Sequence, residues 1–583
     1  MDFLASAIRE TTHRGDDDLL SAGLGLAGLR GAPPPFADPA APTPAELRRR
    51  ALHSNWTGIA DLGPLGGYGD VYGAVPAVPG REYHAFARIA DARHGHRVLA
   101  QIPDAFDAEA RCLVVTASSG SRGVYGAIAV AGAWGLPRGC AVAYTDKGAG
   151  TGYFDCASAT GASLDGTRAG SGGADLEFAP DVYTAEAGVA TKHAHSGDNP
   201  EGDWGRHLLQ AAQFGLAMLE RAYPELAPFT PHNTRIIAAG LSNGGAAVLQ
   251  AAGLDDEGWL DAAVAIAPNV NVPGHGRALY DYATEAGLLM PCALADTRFD
   301  AVPFARVAGG IAPAWSARDE LLREAGMLAG TERGARSTEA LELLYAGGWT
   351  DAALATAATT TAFELWRAFA VTYASAYARS GVGAMPGGFR FVARDAGGAR
   401  RAPTPAERAA WWCDAVGIPP GAGVLIDEPA AADAAPADPT LSGQLRLRDL
   451  WTSENVESRR LRQSIAAAAV RLPRTNLPLF IVHGREDGLI PIAFSSDAYL
   501  DWLRANNRHA TYWPIAHAQH FDSFLALPAF GDRYVPLLPY AYAALDRVWE
   551  NLIRKQPISA RFVPAPRPRG SGVLQRSALG MAE

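Results

Sequence analysis

The sequence predicts an α/β fold built on a mostly parallel sheet, and three stretches carry that prediction. Residues 234–245 pass from an apolar run through Gly240-Leu241-Ser242-Asn243-Gly244 into an Ala-rich segment, the order of a strand, a sharp turn and a helix. Before it, residues 204–223 repeat Leu208, Ala211, Ala212, Met218 and Leu219 at helical spacing, with Gly215 on the same face to allow close packing. After it, residues 262–267 form another apolar strand. Strand alternating with helix is the pattern of a parallel sheet covered on both faces.

Length and composition set the frame. A chain of 583 residues exceeds one small core and implies two domains or one domain with large insertions. A hydrophobic content of 48% supports a sizeable interior. The formal charge of -10 and the lack of a long basic run argue against a nucleic-acid partner. No apolar run reaches the ~18 residues of a membrane-spanning helix. The first twenty residues carry Asp16, Asp17 and Asp18 and lack the apolar stretch of a secretory signal. Cys112, Cys140, Cys156, Cys292 and Cys413 are scattered, without the paired spacing of a zinc site, and no metal is expected.

Along the chain, residues 1–105 are mixed, with Pro33-Pro34-Pro35 and a turn cluster at Gly66-Gly67-Tyr68-Gly69. His94-Gly95-His96 reads as a solvated loop, since no third ligand is placed near it in sequence. Residues 112–116 form a buried strand that ends in a loop of small residues, 117–123. In a hydrolase sheet such a loop donates one N–H to an oxyanion, and Ser119 or Gly120 fits that place. An ordinary Gly-rich connection is the competing reading. A further strand, 140–144, leads into a glycine-rich stretch, 146–153. That stretch lacks both the G-x-G-x-x-G order and a P-loop ending, which disfavours a nucleotide site. In the polar segment 192–200, His193 and His195 suit structural hydrogen bonds better than substrate contacts.

From 272 to 450 the character changes to Ala-rich helical pieces between Gly/Pro loops. Phe363, Trp366, Phe369, Tyr373 and Tyr377 recur every three or four residues, giving one aromatic helix face that packs a core or lines a cleft. Residues 428–439 have linker composition, and the Pro/Arg/Gly-rich tail after 561 wraps the surface or is mobile. Strand character returns at 477–482 and 510–515.

A serine hydroxyl attacks an ester only when a base takes its proton, and the base needs a carboxylate to fix its tautomer. In α/β-hydrolases these arrive in the order Ser, acid, His, each on a loop after a strand. Ser242, Asp487 and His520 stand in that order, and the N–H of Asn243 sits where an oxyanion donor is needed. Glu486 and His517 are the alternatives for acid and base, and Asp522 suits local hydrogen bonding. The Ser242-to-Asp487 gap far exceeds what a bare sheet needs. The prediction is therefore an α/β-hydrolase core in two parts, 1–271 with an N-terminal extension and 451–583 with a tail. They are separated by a mainly helical lid, 272–450, that excludes water from the serine.

Several longer motifs go beyond that consensus. They are Tyr144-Thr145-Asp146-Lys147-Gly148, Lys192-His193-Ala194-His195-Ser196 with Asn199-Pro200-Glu201 and Asp203-Trp204-Gly205-Arg206, Ser242-Asn243-Gly244-Gly245, Tyr280-Asp281-Tyr282-Ala283 with Pro291-Cys292, and Ala518-Gln519-His520-Phe521-Asp522. Through them most of the chain, from about Asp17 to past His520, resembles the D-(-)-3-hydroxybutyrate oligomer hydrolases. The resemblance implies hydrolysis of short 3-hydroxybutyrate esters to monomers, downstream of polyhydroxybutyrate depolymerases. It also implies a serine nucleophile at Ser242, no cofactor, and a secreted or periplasmic setting, with a cytoplasmic one as the alternative. Such substrates end in a carboxylate, so an acidic protein needs a local cation; Arg122, Lys147, Lys192 and Arg206 are candidates. Two other readings compete: a tannase or feruloyl-esterase type of ester hydrolase, and an inactive hydrolase fold used for binding.

Overall fold

The apolar runs assemble into one sheet of nine strands in the computed structural model. It describes the chain apart from residues 174, 307–312, 415, 416, 418–420, 422, 429–436, 528, 559–561, 582 and 583, and the side chains of 313–316. The strands are β1 (Arg9–His13), β2 (Gly80–Ala87), β3 (His96–Pro103), β4 (Cys112–Ala117) and β5 (Ala141–Thr145), then β6 (Arg235–Leu241), β7 (Ala262–Ile266), β8 (Leu479–Gly484) and β9 (Thr511–Ile515). Their spatial order is β1-β2-β3-β5-β4-β6-β7-β8-β9. The sheet is mixed. Pairing is antiparallel from β1 to β3 and between β3 and β5, and parallel from β5 through β4, β6, β7 and β8 to β9.

The central strands are largely apolar and buried, with Thr116, Arg235 and His483 the polar exceptions in β4, β6 and β8, because both faces are covered. One face (Leu113, Val115, Ile236, Ala238, Ala263, Ile481) packs on α2 (Pro200–Ala222), α3 (Asn243–Leu254) and α4 (Ser496–Ala505). The other face (Val114, Ile237, Val264, Phe480, Val482) packs on α1 (Pro44–Thr57) and α5 (Leu538–Arg554). Thr43 begins α1 with a capping box to Glu46, and Pro44 sits at its first turn.

Between β7 and β8 the chain leaves the sheet and builds a second layer with its own core. Its helices include Leu279–Ala293, Arg333–Ala346, Asp351–Ala362, Leu365–Ala378 and Leu441–Thr452. The layer also holds a three-stranded sheet (Arg390–Arg394, Arg400–Arg401, Val424–Asp427). It runs past residue 450, because Leu461 and Ile465 of helix Val456–Ala467 belong to the same core. A four-stranded sheet from 153–191 flanks it.

The aromatic stripe does not lie on one helix. Helix Asp351–Ala362 ends, Glu364 takes a left-handed φ of 53°, and a new helix starts at Leu365. Phe363 is therefore 44% exposed while Trp366 is buried against Tyr282 and Trp349. The linker expected at 428–439 falls mostly outside the described residues. Beyond 561 the tail packs back on the core: Phe562 accepts from Trp513 at 2.7 Å, and Leu574 is fully buried. His96 stacks on His207 with centroids 3.8 Å apart, and His94 meets Phe178 edge-on. Among the described residues no cluster of His, Cys, Asp and Glu is arranged to hold a metal, and no helix is long and apolar enough to cross a membrane.

Candidate active site

Ser242 sits between β6 and α3 with φ 60° and ψ -123°, a strained conformation for a residue with a side chain. Two glycines allow the strand and helix to pass beside it. A Cβ at Gly240 would lie 2.3 Å from the Gly244 carbonyl oxygen, and one at Gly244 would lie 2.3 Å from that of Ala117. Both obstacles are backbone, so they cannot swing away. Gly240→Ala is expected to cost about 1–3 kcal/mol of stability. A thermal melt unchanged by the substitution would contradict this close packing.

The loop after β8 carries Asp487, fully buried. Its Oδ1 accepts from the N–H groups of Leu489 (2.9 Å) and Ile490 (2.7 Å), and its Oδ2 faces His520 Nδ1 at 2.7 Å. His520 follows β9 and brings Nε2 to 3.0 Å from the Ser242 hydroxyl. Nδ1 therefore donates to the carboxylate, and Nε2 is left to accept from the serine. Burial alone would raise the Asp487 pKa, but the two facing histidines, His520 and His483, outweigh it and hold the group ionised well below the usual carboxylate range. The competing residues serve the frame. Glu486 accepts from the Ala518 N–H at 3.2 Å, the His517 carbonyl accepts from the Val535 N–H, and Asp522 accepts from the N–H groups of Leu537 and Leu538 at the start of α5.

Beside Ser242 a cleft of about 190 Å³ opens. Its lining includes Ser119, Gly120, Ser121, Arg122 and Asn243, together with the apolar side chains of Leu279, Leu365, Phe369, Leu489, Ile490, Phe521 and Phe524. Leu279, Leu365 and Phe369 come from the inserted layer. Asn243 is the first residue of α3, so its N–H has no intrahelical acceptor. Among the described residues the N–H groups of Ser119 and Gly120 make no internal hydrogen bond. A Cβ at Gly120 would lie 2.4 Å from Asn243 Oδ1, so the two oxyanion-donor candidates sit against each other.

The model for the family described as 3HB-oligomer hydrolase (3HBOH) matches residues 2–583 of the chain. The chain belongs to this family. It is 35% identical to the D-(-)-3-hydroxybutyrate oligomer hydrolase of Burkholderia mallei over 97% of this chain and 89% of that one. The Burkholderia thailandensis protein of the same name is 36% identical with the same coverage. Among solved structures, tannin acyl hydrolase from Aspergillus niger shares 13% identity with a TM-score of 0.36, covering 83% of this chain and 80% of that one. Feruloyl esterase B from Aspergillus oryzae shares 13% identity with a TM-score of 0.31, covering 76% and 74%.

Of the four cations expected to meet substrate, this 3HB-oligomer hydrolase family member brings only Arg122 to the cleft. Lys147 is buried against Glu201 and donates to Tyr373 at 3.2 Å. Lys192 donates to Glu177 at 3.0 Å. Arg206 is on the surface, paired with Asp91 (2.9 Å) and Asp203 (2.7 Å). Each has an internal carboxylate partner, which sequence spacing does not reveal.

Two groups with no role assigned from sequence hold the site from behind. Glu201 accepts from His193 Nε2 at 2.8 Å and from Asn243 Nδ2 at 3.1 Å, while the Trp204 indole donates to the Asn243 carbonyl at 3.0 Å. Burial opposes ionisation of Glu201, but Lys147 and His193 outweigh it and bring its pKa down to about 2. A depressed carboxylate contributes stability that is full above its ordinary value of 4.5 and is lost as pH falls toward about 2. Glu201→Gln strands the Lys147 charge and is expected to cost about 3–5 kcal/mol near neutrality. In urea unfolding, the gap between wild type and variant should narrow from pH 5 to pH 2; a constant gap would contradict the assignment. His483 is the second group. Its Nε2 lies 3.0 Å from the Ile490 carbonyl and 3.2 Å from Asp487 Oδ2, so that nitrogen carries the proton, and Nδ1 accepts from the Ser496 hydroxyl at 2.6 Å.

Proposed function

We propose that this chain is a serine esterase that cleaves short 3-hydroxybutyrate oligomers to monomers, with Ser242 as nucleophile, His520 as base and Asp487 as its orienting carboxylate. The observation that carries the reading is the continuous hydrogen-bonded line from the Ser242 hydroxyl through His520 to buried Asp487, opening on a small cleft. His520 Nε2 takes the serine proton as Oγ attacks the ester carbonyl. The negative charge that develops on the carbonyl oxygen is met by the Asn243 N–H and one from Ser119 or Gly120. His520 then protonates the departing alkoxide, and water, activated by the same imidazole, releases the acyl group.

Residues 272–450 act as a lid in this reading. Leu279, Leu365 and Phe369 add apolar lining to the cleft, which lowers the local dielectric and strengthens every contact to the developing charge. The cleft of about 190 Å³, lined in part by apolar side chains, has room for a short ester.

The test is product analysis by chromatography and mass spectrometry on linear 3-hydroxybutyrate dimer and trimer, with a methyl ferulate comparator. Release of 3-hydroxybutyrate at a rate well above ferulate release supports the reading. Faster ferulate release, or no monomer, would overturn it.

A further inference from the structure

Arg122 is half-buried and differs from the buried cations of this chain. Arg48, Arg97, Lys147 and Lys192 each hold a carboxylate from within the protein. Arg122 donates through Nη1 to the Ser54 carbonyl at 3.1 Å, and among the described residues no carboxylate is in ion-pair distance of it. It lines the same cleft as Ser242 and His520 and keeps partial access to it. A cation desolvated without a counter-charge is costly, and here burial pushes its pKa down to about 10. The site is also built to seat it. Gly58, at the end of α1, leaves room for the guanidinium, since a Cβ there would lie 1.8 Å from Nη2. The planar fork has five N–H donors, of which one is used by Ser54, so a pair remains for a bidentate carboxylate.

We infer that Arg122 is the receptor for the terminal carboxylate of the substrate, and that it directs cleavage to the ester bond at the carboxyl end of the oligomer. This rests on the proposed function above. A linear 3-hydroxybutyrate oligomer has one carboxylate, on its last unit, separated from the last ester oxygen by only two carbons of that unit's chain. With that group on Arg122, the last ester is the one within reach of Ser242 in so small a cleft. The new bond joins Ser242 Oγ to the acyl carbon as the ester C–O bond breaks. The terminal unit's alkoxide takes its proton from His520 and leaves as free 3-hydroxybutyrate. Water then releases the shortened oligomer, whose new carboxylate is ready for the next round.

Two measurements test this. The first is kcat/KM for the dimer as free acid and as its methyl ester. Wild type should prefer the acid by roughly 10- to 100-fold, the value of a charge-assisted hydrogen-bond pair. Arg122→Gln should bring the ratio near unity. So should Gly58→Ala, which suits the local backbone (φ -79°) but displaces the guanidinium. The second uses wild type alone, with a trimer deuterated only in its carboxyl-terminal unit. The first monomer released should carry the label. Equal rates on acid and methyl ester, or an unlabelled first monomer, would overturn the role of Arg122 while leaving the esterase reading intact. Failure of wild type to cleave either ester would overturn both.

Discussion

Ser242→Ala should lower kcat for the dimer by roughly 10⁴- to 10⁶-fold and leave the fold in place. The hydroxyl lies 3.0 Å from His520 Nε2, and removing it takes away the atom that attacks. The backbone is unaffected, because alanine carries the same Cβ through the same strained φ of 60°. Circular dichroism and thermal melting should match wild type within a degree or two. Activity within ten-fold of wild type would remove Ser242 from the mechanism. It would also revive the idea of an inactive hydrolase fold, since the line of three residues would then be an accident of packing.

Asp487→Asn should be nearly as severe, about 10⁴-fold in kcat, for a reason set by its neighbours. The N–H groups of Leu489 and Ile490 require an acceptor at the Oδ1 position, at 2.9 Å and 2.7 Å. An asparagine must turn its carbonyl oxygen toward them. Its NH₂ then faces His520 Nδ1, 2.7 Å away in the native site, and the protonated Nε2 of His483 at 3.2 Å. To escape a donor–donor contact, His520 must move its proton to Nε2, where it can no longer accept from Ser242. The His483 contact has no such escape, because the Ile490 carbonyl holds its proton on Nε2, so the variant should also lose stability. Steady-state kinetics with a urea melt separates the two effects. A variant that keeps more than a tenth of wild-type kcat would contradict the tautomer argument.

These two residues illustrate what the sequence makes legible. Ser242 is written locally: a strand, a tight turn forced by small residues, and a helix need no distant partner to be read. Asp487 and His520 are readable by chain order, each after a strand, and the parallel half of the sheet places them at the same end. Partner choice is harder to read. Lys147, Lys192 and Arg206 look like free cations in sequence, yet Glu201, Glu177 and Asp91 neutralise them across 54, 15 and 115 residues of chain. Arg122 is the exception because its loop neighbours are small and the nearest helix end offers a carbonyl, not an acid. The aromatic face from Phe363 to Tyr377 satisfies helical spacing, but a left-handed Glu364 breaks it, and helical spacing alone carries no sign of such a break. Glu201 lies within a motif visible in the sequence, although its contact with Asn243 depends on α2 and α3 packing side by side. His483 looks like part of an apolar strand ending in a turn, and only the folded loop places it behind Asp487.

The most direct measurement of the central claim is peptide mass mapping after reaction with a fluorophosphonate, with and without excess dimer. One adduct per chain on Ser242, suppressed by the dimer and slowed about as far as turnover is in Asp487→Asn, is the result expected if hydroxyl, imidazole and carboxylate act as one unit. A chain that hydrolyses the dimer while Ser242 stays unmodified, or that takes the label at another residue in step with inactivation, would contradict it.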